Sequence, residues 1–179
     1  MDNRQAKIKQ LSRANRERAS RPAFLKGLLD AIGIEVGVEA LIAPSKADEL
    51  MSAYRRGYAD AIKFDGMAYR RFWGSHQEAP VLRLASCLGD RLASEQVYFL
   101  TKFGGDCRAV LLGASDLLKE AASIIALDGD SLSLLSRDCI QGLLIDYNPD
   151  DSEQAYEFAV WGDRWPMVAL ACDQRSVHP

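Results

Sequence analysis

Residues 142–161 have the sequence GLLIDYNPDDSEQAYEFAVW, and this stretch decides which fold class the chain adopts. Residues 143–147 form a short, mostly apolar segment, whereas large apolar side chains recur at every second position over residues 156–160. Both patterns are typical of β-strands. The intervening Asn148-Pro149-Asp150-Asp151 has the composition of a turn, and so short a link favours antiparallel pairing of the two strands.

Similar strand patterns extend from this hairpin towards the N-terminus. Residues 132–134 are predicted to lie in a short strand, which follows a helix that begins near Ser115. Before that helix, residues 97–103 and 107–112 are predicted to form another hairpin. Gly104-Gly105 supplies the positive φ angles that its turn requires.

Helices are predicted to fill the N-terminal half of the chain. The strongest spans residues 45–63, where apolar side chains recur with helical spacing. Shorter helices are predicted over residues 22–32 and 84–92, with one or two further helical turns over residues 67–73. Gly57 weakens the long helix by about 1 kcal/mol relative to alanine, which indicates a close approach by another element.

The fold class that follows is α+β, with N-terminal helices before an antiparallel sheet of about five strands in the order ββαβββ. Helices are expected to cover one face of this sheet. Pro166 is expected to end the ordered fold, unless residues 168–172 add a short edge strand. The chain divides into a basic arm or helix, a helical region and a sheet region with one helix, the last two packing as a single domain. These regions span residues 1–21, 22–93 and 94–179.

Charge is distributed unevenly along the 179 residues. Residues 1–75 contain 14 Lys and Arg against 9 Asp and Glu, whereas residues 76–179 contain 8 against 16. The net charge of −3 therefore hides a positive first part and a negative second part. Such asymmetry indicates an interaction surface rather than a reaction.

Cysteine spacing and hydropathy exclude several classes of protein. No apolar run approaches the roughly 20 residues that cross a bilayer, and the N-terminus lacks the apolar part of a secretion signal, so a cytoplasmic location without membrane contact is expected. Intervals of 20, 32 and 33 residues are too wide for a zinc site. The cysteines are interpreted as free thiols in a reducing cytoplasm, and no metal or cofactor is expected. They are Cys87, Cys107, Cys139 and Cys172.

Enzyme motifs are weak or missing. His76 lies in a polar loop and His178 is the penultimate residue, so neither is a convincing base for a serine or cysteine nucleophile. Gly104-Gly105-Asp106 lacks the residues of a phosphate-binding loop. Asp128-Gly129-Asp130-Ser131 resembles a calcium loop only superficially, because its fifth and twelfth positions are not carboxylates. The chain is therefore predicted not to be an enzyme.

Acidic and aromatic side chains are concentrated in the C-terminal part of the chain. Acids beside aromatic residues are common where one protein holds a basic partner. An ordinary solvated sheet face is one alternative, and acid–base or metal chemistry by paired carboxylates is another. The predicted surface for a basic protein partner consists of Asp146, Asp150, Asp151, Glu153, Glu157, Trp161, Asp163 and Trp165.

Basic side chains are concentrated near the N-terminus, and nucleic acid is the alternative partner that they suggest. Six cations can contact phosphates with salt-dependent affinity, but no aromatic residues are interleaved and no recognition helix follows. A solvated helix or arm is the simpler interpretation. The six are Arg4, Lys7, Lys9, Arg13, Arg16 and Arg18.

Three segments carry a resemblance to a known class of proteins. Residues 126–130, 142–147 and 156–165 have a strand rhythm similar to that of small bacterial immunity proteins encoded beside polymorphic or contact-dependent toxins. The resemblance spans about residues 95–165 and includes no diagnostic motif, so it assigns no functional residues. It implies a cytoplasmic inhibitor of a cognate toxin. Many toxic nucleases are basic, and an acidic inhibitor associates with them quickly through electrostatic steering.

Overall fold

An antiparallel sheet of six strands forms the centre of the computed structural model. The structure describes residues 3–33, 35–64, 68–103 and 105–176. Met67, Gly104 and His178, to which predictions above apply, lie outside these ranges. The strands are β1 (Ala68–Trp73), β2 (Gln96–Leu100), β3 (Ala109–Gly113), β4 (Ser131–Ser136), β5 (Gly142–Tyr147) and β6 (Tyr156–Trp161).

The strands are arranged in the order β1-β6-β5-β4-β2-β3, and every neighbouring pair is antiparallel. The predicted α+β class is confirmed, with six strands rather than about five. A 3₁₀-helix at Val38–Ala40 precedes the second helix. The α-helices are α1 (Asn3–Ile32), α2 (Pro44–Lys63), α3 (Glu78–Arg91), α4 (Ala114–Lys119), α5 (Ala121–Asp128) and α6 (Trp165–Ser176).

Each face of the sheet has its own apolar core. On the first face, α1, α3, α4, α5 and α6 pack against side chains such as Phe99 and Val160. On the second face, α2 is the one described helix that packs against the sheet. It contacts the side chains that point the other way from neighbouring strand positions, such as Leu100 and Trp161. Helices were predicted on one face only, whereas the apolar stripe of α2 covers the other face.

Trp161 shows how tightly α2 lies on the second face. Its indole is 3% exposed and lies between Gly57 of α2 and Gly142 of β5. A Cβ atom at either glycine would overlap the indole ring. The close approach predicted from Gly57 is therefore confirmed, and its partner is Trp161.

Two local predictions are wrong. Residues 68–73 form β1, not helical turns, because their backbone pairs in register with β6 along the edge of the sheet. Pro166 does not end the ordered fold, and residues 168–172 are not a strand: both belong to α6. Proline is well tolerated in the first turn of a helix, where its missing N–H would have no helical partner.

The cysteine prediction is corrected for two of the four residues. Cys87 of α3 and Cys172 of α6 form a disulfide with 5.8 Å between their Cα atoms. Cys107 and Cys139 are free thiols, the first buried and the second half-buried. The spacing of the cysteines did not reveal the disulfide, because its two cysteines are 85 residues apart in sequence, on helices that pack side by side. None of the described helices is long and apolar enough to cross a membrane.

Candidate partner-binding surface

The hairpin of β5 and β6 defines two ends of the sheet. At one end, Tyr147 lies opposite Tyr156 and the connecting loop begins; at the other, Gly142 lies opposite Trp161. We call the first the acidic end because six acidic residues lie there, and the second the opposite end. The residues of the acidic end are Asp130, Asp146, Asp150, Asp151, Glu153 and Glu157.

The eight predicted partner-binding residues are divided between these ends. Five of them lie at the acidic end, whereas Trp161, Asp163 and Trp165 lie at the opposite end. Strands of six residues separate the ends by roughly 17–20 Å. Trp161 and Trp165 are buried in different cores, so neither offers its ring to a partner. Trp161 lies on the opposite side of β6 from Tyr156, and α2 covers it.

Glu157 is already neutralised within the molecule. Its Oε1 accepts hydrogen bonds from Arg70 Nε at 2.6 Å and from Tyr58 Oη at 2.8 Å. Arg70 comes from the edge strand β1 and Tyr58 from α2, so the sheet and the helix that covers its second face both contribute to this cluster. Partial burial raises the pKa of Tyr58 to about 12, and its hydrogen bond to Glu157 acts in the same direction. Neither partner was predicted from the sequence.

Asp146 is in the opposite situation. It lies directly across from Glu157 in the register of β5 and β6, with its side chain on the same face. It is half-buried, and it makes no hydrogen bond or ion pair with any residue that the structure describes. Desolvation raises the pKa of its carboxyl, the charges of Asp130 and Glu157 add to this, and Lys102 opposes it.

Two carboxylates directly opposite each other on a sheet are unfavourable. Cross-strand neighbours have their Cβ atoms roughly 5 Å apart, and unlike pairs contribute about 0.2–1 kcal/mol whereas like charges destabilise. Arg70 relieves Glu157, but no described cation forms an ion pair with Asp146. Asp146 is therefore left without an ion pair to a described cation, and only the more distant charge of Lys102 opposes the rise of its pKa.

Of the remaining acids at the acidic end, Asp130 is paired with a described cation, whereas the acids of the β5–β6 loop are not. Lys102 Nζ lies 2.8 Å from Asp130 Oδ1, and this hydrogen bond lowers the pKa of Asp130. In the β5–β6 loop, Asp151 Oδ1 accepts the backbone N–H groups of residues 153 and 154, which fixes the loop conformation. Asp150 and Glu153 are exposed and form no ion pair with a described residue.

The basic residues of α1 fall into two groups. Arg13 pairs with Asp48 and lies 3.8 Å from Asp106, and Arg16 Nε lies 2.9 Å from the same Asp106. These ion pairs hold α1 against α2 and the β2–β3 loop. Lys9 lines an open groove of about 640 Å³ between α1 and α2. Arg4, Lys7 and Arg18 are exposed on the surface of α1.

Much of the charge asymmetry is thus satisfied inside the molecule. Ion pairs from Arg13 and Arg16 to Asp106, from Arg70 to Glu157 and from Arg71 to Asp173 all join the positive first part to the negative second part. Among the described residues without an ion pair are Asp146, Asp150 and Glu153 at the acidic end and Lys7 and Arg18 on α1. The sequence AYRRFW of residues 68–73 does not alternate, so it gave no signal for the strand that places Arg70 beside Glu157.

The chemistry that this surface supports is cation binding. The described residues contain no group of three or more His, Cys, Asp or Glu side chains that could hold a metal ion.

Comparison with protein-family models, curated proteins and solved structures found no match to this chain. The surface therefore has to be interpreted from its own geometry.

Proposed function

We propose that this protein binds a partner without carrying out a reaction, and that its acidic end holds a basic protein. The observation that carries the proposal is Asp146, a half-buried carboxylate with a raised pKa and no described partner, beside a carboxylate that is fully paired. A lysine or arginine of a partner would supply the missing cation.

The exposed loop extends the same surface. Asp150 and Glu153 lie at the same end as Asp146 and form no ion pair with a described cation. Clustered charge of one sign accelerates association with an oppositely charged protein and makes the rate sensitive to salt. Asp146 would then contribute to the lifetime of the complex, and the loop acids to its rate of formation.

Neutralisation of a basic toxin is the specific role that we propose for this surface. The strand rhythm of residues 126–165 supports it through the resemblance to immunity proteins, and a nuclease toxin would present the basic site that the acidic end requires. A cytoplasmic location belongs to the same proposal. The Cys87–Cys172 disulfide weighs against it, because disulfides rarely persist in a reducing cytosol. Alkylation of the thiols in intact host cells, followed by mass spectrometry, shows which state is present.

Charge reversal tests the proposal. Asp150→Lys with Asp151→Lys is compared with Glu39→Lys plus Asp116→Lys, which makes the same change in charge. Both control residues are exposed and lie on segments that flank β3, a strand separated from β5 by β2 and β4. Partners are captured from the host and identified. We expect a basic protein that the wild type and the control retain and that the acidic-end variant loses. Equal retention by both variants would show that the acidic end is not the binding surface.

Nucleic acid remains a second candidate partner, favoured by the exposed cations of α1. Lys7, Lys9 and Arg18 form no ion pair with a described acid, whereas Arg13 and Arg16 are already engaged. Lys7→Glu with Arg18→Glu should abolish retention on heparin if α1 binds polyanions. Unchanged elution would remove this candidate and leave the acidic end unaffected.

A further inference from the structure

A polar cleft at the opposite end of the sheet has no part in the proposed function. Its volume is about 500 Å³, and it lies where the β4–β5 turn meets the start of α6 and the segment before β2. Every side chain that lines it is polar or charged: Ser94, Glu95, Gln96, Ser136, Arg137, Asp138, Gln141 and Arg164.

Gln141 is the central residue of this cleft. It is only 7% exposed, and its Oε1 accepts the backbone N–H groups of Arg164 and Trp165, each at 2.9 Å. Because both groups are donors, the oxygen of the amide must point at the start of α6. The Nε2 group is therefore turned towards the cleft, and it donates to no residue that the structure describes.

The acceptors around Gln141 are largely occupied. Glu95 Oε1 accepts from Arg164 Nη2 at 2.5 Å, and Glu95 Oε2 accepts from Trp165 Nε1 at 3.1 Å. Ser136 Oγ accepts the backbone N–H of Gln141 at 2.9 Å and donates to Asp138. These bonds occupy both carboxylate oxygens of Glu95 and Oδ1 of Asp138, so Asp138 Oδ2 is the one carboxylate oxygen of the lining without a hydrogen bond to a described residue.

Donors, in contrast, remain available. Arg137 makes a single long hydrogen bond of 3.5 Å to Gln96 and no ion pair with a described residue. Arg137 and Gln141 both line the cleft. Tyr69 Oη is the only buried side-chain N or O atom of the described residues that lacks a hydrogen-bond partner, so Gln141 Nε2 is accessible from the cleft and can donate to an acceptor that enters it.

We propose that this cleft binds a small molecule through a carboxylate group, which accepts hydrogen bonds from Gln141 Nε2 and Arg137. A planar monoanion matches the cleft better than a phosphate does. The two arginines and the two acids that line the cleft cancel in charge, so a dianion would meet Glu95 and Asp138 without a matching excess of cations. The proposal is independent of the acidic end.

Nuclear magnetic resonance titration of the ¹⁵N-labelled full chain tests the binding. The probes are acetate, glycine and inorganic phosphate, compared at equal ionic strength. We expect acetate and glycine to produce saturable shifts of the Gln141 side-chain NH₂ signals and of the Arg164 and Trp165 backbone signals. Shifts that do not saturate, or phosphate binding as tight as acetate, would overturn the proposal.

Gln141→Glu separates a structural role from a ligand-binding role. A glutamate still accepts from Arg164 and Trp165, and its charge is favourable at the start of a helix, so the variant should fold. It loses both Nε2 donors, and we expect at least about tenfold weaker binding of acetate. Gln154→Glu makes the same chemical change on the exposed β5–β6 loop and should bind acetate as the wild type does.

Arg137→Ala provides the second variant, because Arg137 is exposed and its loss should leave the fold intact. We expect it to weaken acetate binding several-fold as well. Wild-type affinity in a folded Gln141→Glu protein would contradict the proposal, and so would wild-type affinity in Arg137→Ala if Gln141→Glu does not fold.

Discussion

The acidic end and the opposite end of the same sheet use charged residues in different ways. At the opposite end, Glu95 binds Arg164 and Trp165, and hydrogen bonds from Ser136 and a backbone N–H lower the pKa of Asp138. At the acidic end, Asp146 has no described partner and its pKa is raised. Pairing, rather than the number of acids, therefore distinguishes a surface that holds the fold together from one that can receive a partner.

The aromatic residues sharpen this difference. Trp161 and Trp165 at the opposite end are buried and contribute to the two cores, although the sequence suggested a docking role for both. If the comparison is correct, changes at the opposite end reduce stability and spare partner binding. Changes at the acidic end should do the reverse.

Trp161→Ala is expected to have the largest effect. It removes a side chain enclosed by α2 and β5, and truncation of a buried tryptophan lowers the free energy of unfolding by about 3–5 kcal/mol. Urea denaturation measures this loss. Captured partner should be unchanged under conditions where the variant is folded. A stable variant that no longer binds would return Trp161 to the binding surface.

Removal of the disulfide is expected to have the next largest effect. Cys87→Ala with Cys172→Ala releases α6, which begins at the opposite end, from α3, and should lower the free energy of unfolding by about 2–4 kcal/mol. Cys139→Ala, at a free thiol, is the control. Urea denaturation without reductant compares the three proteins. Equal stability of the double variant and the wild type would contradict a structural disulfide.

Arg70→Ala tests whether Glu157 needs its internal partner. The change leaves two facing carboxylates without an ion-paired cation, and we expect a loss of about 1 kcal/mol because the pair is partly exposed. Arg83→Ala, an exposed arginine on α3, should be near neutral. A combined Arg70→Ala and Asp146→Asn variant should recover part of the loss. No recovery would show that the two carboxylates do not repel each other.

Local patterns in the sequence predicted most of the sheet but not β1, one of its two edge strands. The apolar segment of β5, the alternation in β6 and the short links between strands were sufficient, because those strands pair with their neighbours in the chain. β1 pairs with a strand about 87 residues away and lies at the sheet edge, so its pattern was interpreted as helical. The start of α6 is fixed by Gln141, which belongs to a distant turn.

The candidate site was only partly predictable for the same reason. Counting charges located the acids of the β5–β6 hairpin, and the register of the strands brought Asp146 and Glu157 together as alternation implies. Counting could not show that Arg70 and Tyr58 neutralise Glu157 or that α2 buries Trp161. Those facts depend on packing between elements far apart in the chain.

Asp146→Asn gives the smallest effect and the most direct test of the account. A carboxyl whose pKa is raised by folding is unfavourable when charged, so this penalty is absent below the unfolded pKa of about 4 and grows as pH rises through the folded pKa. The measurement is the free energy of unfolding of the variant and the wild type against pH, together with binding of the captured partner. We predict a variant more stable by about 0.5–1 kcal/mol at pH 7, equal to the wild type near pH 3, and weaker in binding. A variant that is less stable at pH 7, or that binds as well as the wild type, would contradict the claim that Asp146 is kept unpaired for a partner.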